Sequence, residues 1–274
     1  MTESRSTRAL LRIATGLTLA FIYVPLVVIA VYAFNENISQ TWPIEEYTTK
    51  WFRIAWEDEN VRDALWLSVK AALGATAIAL ILGMLASLAV ARYSFFGKET
   101  ISFLVILPIA LPGILTGLAL QATILNFLQP LGISFSIWTI IIGHATFCIV
   151  VVYNNSVARL RRLAGSLEEA SADLGADPWQ TFRYVTFPQM RSALLAGGLL
   201  AFALSFDEVI VTLFTAGAQQ TLPIWMFANF GRPHELPIVN VVALFVILAS
   251  IIPVWIAQRI SSERPATTMQ RVAE

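Results

Sequence analysis

Two adjacent acids, Asp207 and Glu208, sit in the run ALSFDEVIVTLF, whose other members are apolar apart from Ser205 and Thr212. An ionised carboxylate in hydrocarbon is costly, so an acid kept in such a run is a candidate for function by default. Adjacent positions lie about 100° apart on a helix, and at least one of the two is expected to face away from lipid. A carboxylate there, with the rings of Phe202 and Phe206 nearby, would stabilise a dication, because aromatic faces attract cations. The competing reading is that one acid reaches the outer membrane surface or pairs with Arg232 or another helix. His144 and Cys148 have the i, i+4 spacing of metal ligands, but no third and fourth ligands recur nearby. Interhelical hydrogen bonding is therefore the preferred role for His144, and neither a metal nor a cofactor is predicted. Asn154, Asn155, Gln121 and Asn126 divide in the same way between interhelical bonding and lining a pathway. The chain lacks G-x-x-x-x-G-K-[ST], and it offers no nucleophile elbow and no acid–base cluster, so it is not predicted to be an enzyme.

The elements that must position these residues are membrane spans. Of 274 residues, 57% are hydrophobic and 13% charged, with a mean hydropathy of +0.70, whereas soluble domains carry about 25% charged residues. Six apolar runs are long enough to cross a bilayer: about Ile13–Phe34, Ala64–Ala91, Ile101–Phe127, Ile133–Ser156, Ala193–Thr215 and Pro237–Gln258. Thirteen of the eighteen Lys and Arg fall on one side of this arrangement; only Lys50, Arg53, Arg62, Lys70 and Arg232 fall on the other. Basic residues are retained in the cytoplasm, so both termini (1–12 and 259–274) and the long loop 157–192 are predicted to be cytoplasmic, around a six-span transmembrane domain 13–258. The first run is too long for a cleaved signal and contains Pro25. Zero net charge says nothing about nucleic acid, but no basic block or aromatic–basic interleaving suggests such a partner, and none is predicted.

Within the third run, LPIALPGILTGLAL puts Pro108, Pro112, Gly113 and Gly117 into one helix, which is predicted to be kinked, either for ordinary close packing or as a bent or broken helix that lines the pathway and acts as a hinge. On the outer side, Asn35 to Asp63 carries Trp42, Pro43, Tyr47, Trp51, Phe52 and Trp56, aromatics predicted to rest at the membrane interface. A second outer loop, Ala216 to Leu236, is predicted to hold a short helix around Leu222 to Phe230.

The cytoplasmic stretch SLEEASADLGADPWQTFRYVTFP, Ser166 to Pro188, reads as a helical hairpin. Ser166 followed by Glu169 has the spacing of a capping box, and Gly175 supplies the left-handed residue that ends a first helix. Asp177 then starts a second, with Pro178 and Gln180 in its first turn, predicted to stop near Pro188.

This stretch resembles the cytoplasmic loop of the permease subunits of binding-protein-dependent ABC importers: E-A-A, three residues, Gly, nine residues, then I-x-L-P. Glu169, Ala170, Ser171, Gly175, Val185, Phe187 and Pro188 match it, with Ser171, Val185 and Phe187 as conservative departures. The resemblance implies an all-α integral membrane protein, a six-transmembrane-helix bundle of the type I importer kind. In that family the loop is a coupling helix seated on a cytoplasmic ATPase. It implies that role here for Glu168, Glu169, Ala170, Ser171, Leu174, Gly175, Ala176, Asp177 and Pro188. The implied partners are an ATPase dimer, a second homologous permease, a periplasmic or extracellular substrate-binding protein and the bilayer of the bacterial inner membrane. The runs VPLVVIAVYAFNEN, LPIALPGILTGLAL, ALSFDEVIVTLFTAG and TLPIWMF are similar to the second permease of putrescine and spermidine importers. Permeases for iron, molybdate, sulfate and sugars share the loop, so the loop alone leaves those cargoes open. A secondary transporter with an ion site at Asp207 or Glu208 would need inverted repeats, which are not visible.

Overall fold

In the computed structural model the described residues are 5–262, with backbone only for 252–254 and 256–262. The outermost parts of the predicted termini, 1–4 and 263–274, lie outside them. The described secondary structure is helical, apart from one isolated bridge between Asn35 and Tyr47. In chain order the helices are α1 (Arg5–Tyr32), α2 (Lys50–Glu57), α3 (Glu59–Arg92), α4 (Lys98–Ala110), α5 (Gly113–Thr123), α6 (Ile137–Leu160), α7 (Ser166–Asp173), α8 (Pro178–Thr181), α9 (Phe187–Phe206), α10 (Ile210–Thr215), α11 (Leu222–Asn229) and α12 (Leu236–Ser262). A π-helical turn, Ile124–Leu128, and a 3-10 turn, Gln129–Leu131, extend α5.

Five helical runs are long and apolar enough to cross a membrane: Arg5–Tyr32, Glu59–Arg92, Gly113–Leu131, Ile137–Leu160 and Pro178–Phe206. A sixth apolar helix covers Leu236–Ile251 within α12. The short helix predicted in the second outer loop is α11.

Three boundaries differ from the sequence reading, each for a local or tertiary reason. The third span is interrupted rather than kinked. Leu111 is extended (φ −84°, ψ 144°), because the ring of Pro112 disfavours the helical region for the residue before it. The fifth span, expected to be continuous to Thr215, ends at Phe206 and resumes as α10 at Ile210. The helix after Asp177 does not stop near Pro188: a π-helical turn, Phe182–Thr186, carries it into α9, and Pro188 falls in the first turn of α9. Near a helix start a missing N–H is tolerated.

The chain forms two compact units, Met1–Arg62 with Met226–Ile252 and Asp63–Trp225 with Pro253–Glu274. In the first, Trp51 is buried rather than interfacial, and its indole N–H donates to the Asn35 carbonyl at 2.9 Å. The Phe52 ring lies 4.9 Å from Phe34 and 5.8 Å from Phe245, and Asn240 Nδ2 donates to Gln40 Oε1 at 2.9 Å. Trp42, Tyr47 and Trp56 are exposed, and α1 buries no residue.

The second unit is built around α6, which packs on α4, α9 and α10, while α10 also packs on α5. Its core joins Ala75 and Ala79 of α3 to Phe147, Cys148 and Val152 of α6, Ala201 of α9 and Val211 of α10. Small residues at such crossings let helix backbones approach where apolar burial against lipid gives little drive. This close packing brings the two interrupted spans beside the same central helix.

Candidate functional site

The breaks in the third and fifth spans open onto one cleft. Its volume is about 170 Å³, and it is lined by Pro108 and Ile109 of α4, Gly113 and Thr116 of α5, Phe147 of α6, Leu204 of α9, Glu208, and Val211 of α10. Gly117, one residue beyond Thr116, is buried, and a Cβ there would collide with the Phe214 ring of α10. That contact lets the half-helices α5 and α10 pack closely beside the cleft.

Of the two acids, Glu208 lines the cleft and is half-buried, whereas Asp207 caps the end of α9 and is exposed. Glu208 Oε1 accepts from the Val211 N–H at 2.9 Å, which satisfies one of the free donors at the start of α10. Oε2 makes no hydrogen bond among the described residues. Thr116 Oγ1, on the same cleft, is buried and has no hydrogen-bond partner among the described residues. The site thus presents a carboxylate and an unpaired hydroxyl in an apolar wall that includes the Phe147 ring. Such a set accepts hydrogen bonds from a cation, and buried groups left unpaired are unfavourable until something pairs with them. Phe202 and Phe206 stack on one another, 6.0 Å apart, and are not among the lining residues. Of the four residues predicted as a hinge, Pro108 and Gly113 line the cleft, Pro112 caps α5, and Gly117 packs on Phe214.

His144 spans the break in the fifth span. It is 1% exposed; Nδ1 lies 2.7 Å from Ser205 Oγ in α9, and Nε2 lies 2.8 Å from Thr212 Oγ1 in α10. Thr212 Oγ1 also donates to the Glu208 carbonyl at 2.8 Å. Cys148, one turn on, is directed elsewhere, to the Ala201 carbonyl at 3.3 Å. Among the described residues no three His, Cys, Asp or Glu side chains gather as a metal site. Sequence reasoning missed Thr116, Phe147, Ser205 and Thr212. The one available signal was the Ser205/Thr212 pair, polar residues seven apart flanking the two acids.

The hairpin Ser166 to Pro188 is a second, exposed site. Gly175 has φ +81° and ends α7; Asp177 Oδ1 accepts from Trp179 N–H (2.8 Å) and Gln180 N–H (2.9 Å), and Gln180 Oε1 accepts from Asp177 N–H (3.0 Å). Asp177 therefore forms the capping box at the second helix. The box expected at Ser166 and Glu169 does not form, because Gly165 holds the cap position and Ser166 is already helical. Ser171 Oγ and Thr181 Oγ1, 3.0 Å apart, close the hairpin. Glu168 is turned inward. It accepts from Thr186 Oγ1 at 2.8 Å and lies 2.9 Å from Arg92 Nε, an ion pair without an aligned N–H. Leu167, Glu169, Ala170, Leu174 and Trp179 are exposed, Leu174 by 90%. Ala176 and Pro188 are half-buried. The hairpin is thus tied within and presents Leu167, Leu174 and Trp179 among polar residues outside.

Helical spans with two interruptions at a common cleft and a capped hairpin beyond them define a solute-conducting membrane subunit. The chain belongs to the family of binding-protein-dependent transport system inner membrane components, which matches residues 79–264. It is 32% identical over 232 residues to the putrescine transport system permease protein PotI of Escherichia coli (strain K12), covering 83% of this chain and 82% of that one. It is 28% identical over 247 residues to the spermidine/putrescine transport system permease protein PotC of the same strain, covering 89% and 91%. A crystal structure of a bacterial ABC transporter involved in the import of the acidic polysaccharide alginate superposes with a TM-score of 0.73 at 16% identity, over 94% of this chain and 99% of the matched one. The fold is therefore the six-helix fold of an ABC importer permease, and the protein is a multi-pass component of the inner membrane.

Proposed function

We propose that this permease carries putrescine or spermidine through the cleft between its two interrupted spans, with Glu208 as the carboxylate that meets the cargo. The observation that carries this reading is the placement of Glu208, one oxygen tied to Val211, beside the unpaired Thr116 hydroxyl. A primary ammonium has three donors and a positive charge, which suits both acceptors and the nearby Phe147 face. The polyamine names of the relatives support the same cargo. Asp207, exposed one residue earlier, meets the cation before Glu208, and the stacked Phe202 and Phe206 line its approach.

The subunit itself catalyses no reaction. A second homologous permease completes the pathway, an external binding protein delivers the amine, and a cytoplasmic ATPase dimer supplies the energy. Both termini and the loop 157–192 face the cytoplasm. The exposed face of α7, with Glu169 and Ala170, and the turn after it, Leu174 and Gly175, seat in the ATPase; Glu168, Ser171, Ala176, Asp177 and Pro188 hold them in shape. ATP binding draws the paired hairpins together and tips the helices between two states, with the break at Pro112 and Gly113 as the hinge.

The test is uptake of radiolabelled putrescine and spermidine by the full importer in proteoliposomes. Glu208→Gln, isosteric and uncharged, is expected to lower uptake by about ten-fold or more, since a charge-assisted bond is worth about 1.5–3 kcal/mol. Unchanged uptake in Glu208→Gln sinks the amine pathway.

A further inference from the structure

We propose that His144 is the positioning residue that sets the break in the fifth span and thereby aims Glu208 into the cleft. This rests on Glu208 being the cargo-facing acid. With the imidazole neutral, the hydrogen bonds leave one arrangement of protons. The Glu208 carbonyl can only accept, so the single hydroxyl proton of Thr212 is committed to it at 2.8 Å. Thr212 Oγ1 must then accept from His144, and Nε2 carries the ring proton. Nδ1 is left bare and accepts from the Ser205 hydroxyl at 2.7 Å. The result is one directed chain from α9 through the central helix to the break: Ser205 O–H to Nδ1, Nε2–H to Thr212, Thr212 O–H to the Glu208 backbone.

Each member of this chain is buried: His144 is 1% exposed, Ser205 3% and Thr212 0%. No water replaces a lost partner easily at such a depth, and the break contains no glycine or proline to hold it open. Glu208 is fixed twice, through its carbonyl by Thr212 and through its carboxylate by Val211 N–H. Without the first tie, the segment Asp207 to Val209 is free to rejoin α9 as helix, which carries Glu208 round by about 100° per residue. His144 touches no cargo and acts through Glu208.

The test uses the full importer in proteoliposomes, with a cationic methanethiosulfonate as probe of a Glu208→Cys variant; the native Cys148 is fully buried. Thr212→Val keeps the side-chain shape and removes both of the bonds made by Oγ1. Added to Glu208→Cys, it is expected to change the labelling rate by about ten-fold, and His144→Leu by as much, while His144→Gln, which retains one donor and one acceptor, stays within about three-fold. Without the cysteine, Thr212→Val should lower putrescine uptake by about ten-fold but cause no further loss on a Glu208→Gln background. Unchanged labelling in Thr212→Val, or losses that simply add, overturns the proposal. Should His144→Leu fail to fold, Thr212→Val decides alone. If Glu208→Gln transports normally, the amine pathway fails, yet labelling still reports whether His144 sets the break.

Discussion

The hairpin at Gly175 and the break at Asp207 both interrupt helices, but they are held in opposite ways. Around Gly175 the contacts that make the turn are local: a left-handed glycine, an Asp177 cap with its reciprocal Gln180, and the Ser171 to Thr181 bond ten residues apart; only Glu168 reaches further, to Thr186 and Arg92. At Asp207 the ties to His144 run over 61 and 68 residues, and local sequence would continue the helix. The hairpin carries its own shape while exposed, as the proposed contact with an ATPase would require. The break exists only inside the packed unit and can change when the packing changes. A moving part controlled by its surroundings is better built in the second way, and a rigid contact in the first.

The largest expected effect lies on the packed side. Gly117→Val drives a side chain into the Phe214 ring and should lower stability by about 3 kcal/mol, read as a fall in the thermal midpoint of the purified protein. An undiminished midpoint would show that α5 and α10 are not tightly held, and the contrast would lose its packed half. On the local side, Gly175→Leu must adopt φ +81° with open space around it, at a cost of about 1–2 kcal/mol from the backbone alone. ATP hydrolysis is expected to continue while uptake falls, and Gly175→Asn, which tolerates this region, should be milder. Equal losses in both variants would mean that side-chain contact, not backbone conformation, sets the turn.

Asp177→Ala should cost about 1 kcal/mol of hairpin stability, while Asp177→Asn retains most of it. Hydrogen exchange at Trp179 and Gln180 measures this directly, and no rise in exchange would remove the cap from the account. The smallest effect belongs to the exposed pair on the other unit. The hydrogen bond from Lys50, and then its charge, hold the Glu36 carboxyl below its usual value. Its contribution is complete above the ordinary carboxylate range and fades as pH falls through the lowered value. Lys50→Met should abolish that small acid dependence of the thermal midpoint and change little at neutral pH. A large effect there would contradict the expectation that exposed ties matter least.

Much of this was legible along the chain. Apolar runs of bilayer length gave the spans, because lipid imposes a length that composition alone can meet. Gly175, Asp177, Pro178 and Gln180 announced the hairpin, because caps and left-handed turns are decided by residues within a few positions of one another. The pair Asp207 and Glu208 stood out by their cost in an apolar run, but nothing local distinguished the exposed acid from the one lining the cleft. The cap at Ser166 was misread by one position, since a capping box needs the actual first residue of the helix and spacing does not supply it.

By itself, then, the order of residues determined that the chain crosses a membrane repeatedly and carries a capped hairpin, since both depend on short-range chemistry and solvent. Only the tertiary structure decided that the fifth span is interrupted, that Glu208 rather than Asp207 lines a cleft with Thr116, and that His144 joins the two halves. Those outcomes depend on hydrogen bonds between residues far apart in sequence, whose energy in a buried setting exceeds the local preference for continuous helix.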